Sequence, residues 1–241
     1  MPSQPSSIVE LVSVLRDNPA PVIFLDTCAI LDILDVPRNL SLYRDTASPA
    51  LVHSVLNALQ AFSETTPKLQ LVISGQVAQE YTKNLPKVLK ELRTRIAQIT
   101  QVGDLLLSAT DSAQLGSTLT TLEANLTTLT NRIFNSSLTI AKDDASVFRA
   151  ASRLARSLAP AKRGSSNMGD CLVVEHFLEF VRQLRADGFD QKCIFVSSNY
   201  RDFGLEHFRV RCIVIPGETL RQTDDGEIVW RRSASQVAGG P

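Results

Sequence analysis

The sequence predicts an α/β fold: a central, mainly parallel β-sheet flanked by helices, with an α-helical hairpin inserted. Three observations lead there. Short β-rich apolar runs alternate with amphipathic helical stretches, the pattern of parallel strands joined by helical crossovers. Two long segments, 85–99 and 115–133, carry leucine and isoleucine at steps of three and four, a heptad-like seam. Acidic residues stand where the strands end or the next helices begin, the edge at which such sheets collect ligands.

The elements follow in order. Residues 1–7, rich in proline and serine, offer little to bury and read as disordered. Ile8, Leu11, Val12 and Leu15 then recur at helical spacing until Asn18-Pro19 stops them, so residues 1–20 form a tail and a helix. VIFL (22–25), between Pro21 and Asp26, is the first strand. A helix from Ala29 to Leu34 ends before Pro37, and Pro49 opens another with Leu51, Val55, Leu59 and Phe62 on one face. LQLVIS (69–74) is the second strand, and Ser74 is placed to cap the helix of Val77, Glu80 and Tyr81. The two seam segments, parted around Gly103-Asp104 and Gly116, form an antiparallel helical hairpin. Its second arm is rich in threonine, a poor helix former, so packing must hold it. A helix from about Asp143 to Leu158, a loop AKRGSSNMG (161–169) and a helix opened by Asp170 come next. KCIFVSS (192–198) and RVRCIVIP (209–216) are the third and fourth strands, and Asp225-Gly226 marks a hairpin before EIVWRR. The division is thus a tail and helix (1–20), a main domain (21–220) with the helical insertion at about 86–160, and a C-terminal hairpin or tail (221–241).

Composition narrows the class. The 241 residues are 44% hydrophobic, enough for a core, and the formal net charge is zero. That excludes a broadly basic coat, so phosphate must be met by a local patch. Cys28, Cys171, Cys193 and Cys212 lack the short spacing of a zinc site and read as buried thiols of a reducing compartment. The N-terminus has neither a basic n-region nor a long apolar core, and no run approaches the roughly 18 apolar residues of a membrane span. The expectation is a soluble cytoplasmic protein with no membrane partner.

One carboxylate at a strand end is most often a helix cap, which is the plain account of Asp26 or Asp170 taken singly. Several acids in one cleft repel and raise each other's pKa unless a cation neutralises them. Hard oxygen ligands suit magnesium or manganese, and such ions can activate water against a phosphodiester.

Four stretches resemble the PIN domain, the nuclease fold of many bacterial toxins and RNA-processing enzymes. FLDTC resembles its strand-ending Asp-Thr-Asn, ISGQVAQEY its serine-to-glutamate signature, NMGDCLVVEH its third-acid helix start, and VSSNYRDFG its closing element. The resemblance spans about 21–85 and 165–216. It implies that Asp26, Glu80 and Asp170 hold Mg2+ or Mn2+, that Thr27 and Ser197 position ligands or phosphate, and that Asn199 and Asp202 complete the outer site. The implied activity is metal-dependent phosphodiester hydrolysis, on RNA or single-stranded DNA, by an endoribonuclease that fits a toxin or defence role with an antitoxin partner. Cys28 departs from the family's asparagine, and Asn199 offers a neutral group at the fourth position.

For nucleic acid, Arg149, Arg153 and Arg156 fall on one helical face, with Lys162 and Arg163 beyond it on the way to Asp170. Lys83, Lys87 and Lys90 form a similar stripe after Glu80. The plain account of either stripe is a solvated helix face. Among other classes, a cysteine hydrolase would need Cys28 or Cys171 beside His53, His176 or His207, which carry no such signature. An aspartyl-phosphate phosphatase would need a second acid where Cys28 stands. A catalytically weak or inactive scaffold that binds RNA or protein, or dimerises through the leucine seam, is the alternative of a different kind.

Overall fold

The computed structural model describes residues 4–34, 69–161 and 167–197, together with the backbone of a strand at 212–215. The elements are α1 (Ile8–Asp17), β1 (Val22–Leu25), α2 (Thr27–Leu31), β2 (Gln70–Ser74), α3 (Gly75–Leu106), α4 (Ala109–Ser136), β3 (Leu138–Ile140), α5 (Asp144–Ala155), α6 (Met168–Ala186), β4 (Cys193–Val196) and β5 (Cys212–Ile215). The expected helix after Pro49 and the expected hairpin at Asp225-Gly226 lie outside the described residues.

The sheet has the order β3-β2-β1-β4-β5. Its first four strands are parallel, and β5 runs antiparallel beside β4. From β1 the chain steps outward through β2 to β3, then returns to the other side of β1 with β4. The reversal of strand order therefore falls between β1 and β4, the place beyond the carboxyl ends where such sheets bind ligands. In register, Leu25 faces Ile73 on one side and Val196 on the other, so Asp26, Ser74 and Ser197 stand level just past the sheet.

β1 is central and buried because its residues are wholly apolar: Val22 and Phe24 are fully enclosed. Phe24 packs against Phe177 of α6, with ring centroids 5.3 Å apart, and Phe177 meets Phe195 of β4 at 5.2 Å. α6 is the core helix: every residue from Cys171 to Leu178 is buried, as are Phe180, Val181 and Leu184. α1 starts on a capping box in which Ser7 and Glu10 satisfy each other's backbone.

One expectation is corrected, and two features are added. Residues 4–7 are ordered rather than a loose tail: β3 presents an open edge, and Ser6 pairs with it through Ser6 N–H to Thr139 O (2.9 Å) and Ala141 N–H to Ser6 O (2.8 Å). β3 itself was not expected, since three residues are too few to show a period. Finally, the hairpin turns at Leu107-Ser108, between the two glycine positions that part its seams. Gly103 lies inside α3 because the arms close there: a Cβ would come within 2.7 Å of Leu115 Cδ2. Antiparallel pairing of the arms follows from Tyr81 with Asn131, Arg93 with Glu123 and Asp104 with Ser112. No helix among the described residues is long and apolar enough to cross a membrane.

Candidate active site

β1 delivers Asp26 to the reversal point of the sheet. Asp26 is 4% exposed and does cap α2, accepting from the Thr27 N–H at 2.7 Å. The cap uses only Oδ1. Oδ2 accepts from the Ser197 hydroxyl at 2.7 Å and from the Cys28 thiol at 2.9 Å. The cysteine thus donates to the carboxylate at the position where the PIN motif it resembles has asparagine, and Sγ also lies 3.2 Å from Ser197 Oγ. Burial raises the Asp26 pKa, against the pull of those three donors, and the charge of Glu80 raises it further.

Glu80 comes from the second turn of α3, which starts immediately after β2 under a Ser74 cap. Each of its oxygens has a donor: Thr27 Oγ1 reaches Oε2 at 2.8 Å, and Gln76 Nε2 reaches Oε1 at 2.6 Å. Thr27 therefore ties the start of α2 to the second turn of α3 across the site.

Asp170 sits at the third position of α6. It is not a cap: Asn167 holds that place, without a side-chain bond to the helix. No described side chain or backbone group hydrogen-bonds the Asp170 carboxylate. Burial, then the charges of Asp26 and Glu80, push its pKa up to about 6. Gly169 makes the approach of α6 possible, since a Cβ there would stand 2.7 Å from Glu80 Oε1 and 3.1 Å from Gln76 Nε2.

The structure thus brings together Asp26, Thr27, Glu80, Asp170 and Ser197. Asn199, Asp202, Lys162 and Arg163 lie outside the described residues. Two of the basic residues belong elsewhere. Arg153 is largely enclosed against α6, with Nε 2.6 Å from Glu175 Oε1 and an Nη1–H donated to Ala159 O at 2.7 Å. Arg149 Nε lies 3.5 Å from the other oxygen of Glu175, and Arg149 Nη2 donates to Ser146 Oγ at 2.9 Å. Arg153 thus holds α5 on α6, whereas Arg149 leans on the same Glu175 and keeps 37% of its side chain exposed. Arg156 is exposed at the end of α5.

Three carboxylates that share one site, with no described lysine or arginine ion-paired to any of them, need positive charge from elsewhere. The donors are all hard oxygens, the set that magnesium and manganese accept. Among the described residues, no three His, Cys, Asp or Glu side chains already enclose a point that could hold an ion. Glu80 and Asp26 are instead turned onto their own donors. Magnesium is commonly held by one or two carboxylates with water for the rest, so the group fits such an ion without all three as direct ligands.

Gln76 and Gly169 were not singled out from the sequence. The signal for Gln76 was its place four residues before Glu80 on one helix. His176 is a core residue, fully enclosed, with Nδ1 2.8 Å from Ser74 Oγ and Nε2 3.6 Å from Asp143. Burial lowers its pKa to about 4, so it is neutral at pH 7 and is not paired with a described cysteine.

A family model described as PIN domain matches residues 23–203. No curated protein matches the chain, and no solved structure matches it.

Proposed function

The chain belongs to the PIN domain family, and from that premise we propose that it is a divalent-cation-dependent endoribonuclease cutting single-stranded RNA at the β1/β4 site. The family gives a nuclease-type fold that is generally metal-dependent. The observation that carries the finer reading is the convergence of Asp26, Glu80 and Asp170, without a described cationic partner, at the point where strand order reverses.

Asp26, Asp170 and Glu80 would hold Mg2+ or Mn2+. When bound, such an ion supplies Lewis-acid activation of water and of the phosphodiester. The protein's own groups prepare the site. Ser197, Cys28 and the Thr27 N–H keep Asp26 an acceptor in a buried place that disfavours charge. Thr27 fixes Glu80. Asp170, with no donor of its own among the described residues, is the carboxylate left most open to a ligand. Lys83, Lys87 and Lys90, on α3 beyond Glu80, offer charge to a phosphate backbone.

The test is cleavage of labelled single-stranded RNA and DNA with Mn2+ or Mg2+, comparing wild type with Asp26→Asn and Asp170→Asn. Either substitution should lower RNA cleavage about 100-fold or more. Cutting of DNA alone would change the substrate. Folded protein that cuts neither, with Mn2+ leaving its melting temperature unmoved, would favour a non-catalytic scaffold.

A further inference from the structure

We propose that Gln76 is a positioning residue for the acidic centre, its amide oriented by Lys142 so that it holds Glu80 ready for a divalent cation. This rests on the metal-dependent reading above.

The chain of contacts runs from β3 to the site. Lys142, two residues past β3, donates from Nζ to Gln76 Oε1 at 2.7 Å and to Gln79 Oε1 at 2.6 Å. A lysine ammonium has only donors, so it fixes which end of the Gln76 amide faces it. The NH2 end is then directed at Glu80, where Nε2 meets Oε1 at 2.6 Å. With the amide reversed, two oxygens would oppose each other. Lys142 therefore acts on Glu80 through Gln76, without touching it.

Glu80 needs such a hold. Its neighbours in charge are Asp26 and Asp170, and like charges would drive a free glutamate side chain away from them. Thr27 restrains one oxygen and Gln76 the other, and the absence of a Cβ at Gly169 leaves room for both side chains beside α6. Each carboxylate oxygen keeps a further lone pair for a cation. Ordering the side chain beforehand removes an entropy cost from binding.

The experiment is a Mn2+ titration of the full chain, read by calorimetry and by melting temperature, with the cation-free melting temperature as control. Gln76→Leu should raise the Mn2+ Kd roughly 10–100-fold, the range for lost outer partners of a metal ligand, in a protein that still melts cooperatively without the cation. Lys142→Met should weaken binding by a smaller factor. Gln76→Leu with Lys142→Met should be no worse than Gln76→Leu alone, because the lysine acts only through the amide. An unchanged Kd in Gln76→Leu, with wild type still binding, would overturn the inference. So would additive losses, which would mean that Lys142 acts as a bare charge. Should Gln76→Leu not fold, the exposed Lys142→Met variant decides: an unchanged Kd there overturns the relay. A wild type that binds no Mn2+ would remove the metal-dependent reading itself and this inference with it.

Discussion

At the scale of single residues, Asp170 is an acid whose chemistry is changed by its surroundings. Its pKa stands near 6, raised first by burial and then by Asp26 and Glu80. The folded state therefore keeps a proton that the unfolded chain gives up at its ordinary 3.8. That difference favours folding below the unfolded value and is lost as pH rises through about 6. Asp26, also raised, contributes in the same direction. The cation-free protein should accordingly carry a stability loss between about pH 4 and pH 7 that originates in this site. Asp170→Asn, which imitates the neutral form, should stabilise the cation-free protein at neutral pH by about 1–2 kcal/mol, after discounting for a partly exposed group. It should also flatten that part of the profile, as chemical denaturation across the window would measure. A variant whose profile overlays wild type would contradict this account. Binding of Mn2+ displaces the same proton, so its affinity should tighten as pH rises through the window.

At the scale of elements, α5 and α6 show why a charge stripe misleads. Arg149, Arg153 and Arg156 do share a helical face, but the face is turned inward at Arg153, whose side chain is only 11% exposed and paired with an equally enclosed Glu175. Helical spacing reports which residues are neighbours on a surface, not what that surface meets. The partner lies 22 residues away on another helix, beyond any i,i+4 rule. The pair makes a distinct stability prediction. Glu175→Gln should cost about 3 kcal/mol, because it leaves Arg153 enclosed without its counter-charge and weakens the hold on Arg149. Arg153→Met together with Glu175→Leu should recover most of that loss, since an apolar pair of similar volume needs no solvation. Arg156→Glu, at an exposed helix end, should change stability by no more than about 1 kcal/mol, the range of exposed charges. Urea denaturation of the variants separates these outcomes, and equal costs for Glu175→Gln and the double variant would remove the ion pair from the account.

For the whole molecule, the fold class was legible because strand and helix periods differ sharply in this chain. VIFL and LQLVIS are short and apolar, while the helices show three- and four-residue steps. Asp26 was legible because it directly follows a strand, Asp170 because it lies in the first turn of a helix, and Glu80 through the serine-to-glutamate spacing that begins at the end of a strand. Gln76 and Lys142 were not, because their meeting depends on β3, a strand too short to announce itself, lying beside β2. The same division of labour extends to the helical hairpin. Its base is part of the core: Tyr81 stacks on Phe134 with ring centroids 4.1 Å apart, and its hydroxyl reaches Asn131 at 3.1 Å. Towards the tip the arms bond to each other, as in Arg93 with Glu123, and Val102, Leu105, Leu106 and Leu107 are exposed. Tyr81, Glu80 and Gln76 all lie on the base side, so the tip does not position the acids. Replacing residues 88–126 with a short glycine-rich turn, which helices packed roughly 8–10 Å apart allow, should leave the remaining protein folded. It should retain the Mn2+-induced rise in melting temperature of the full chain. Its cation-free melting temperature should fall, because the distal helical contacts are gone. Loss of the Mn2+ response in a truncated protein that still melts cooperatively would show that the distal arms hold the acidic centre in place, and that the site extends along the hairpin rather than ending at the sheet.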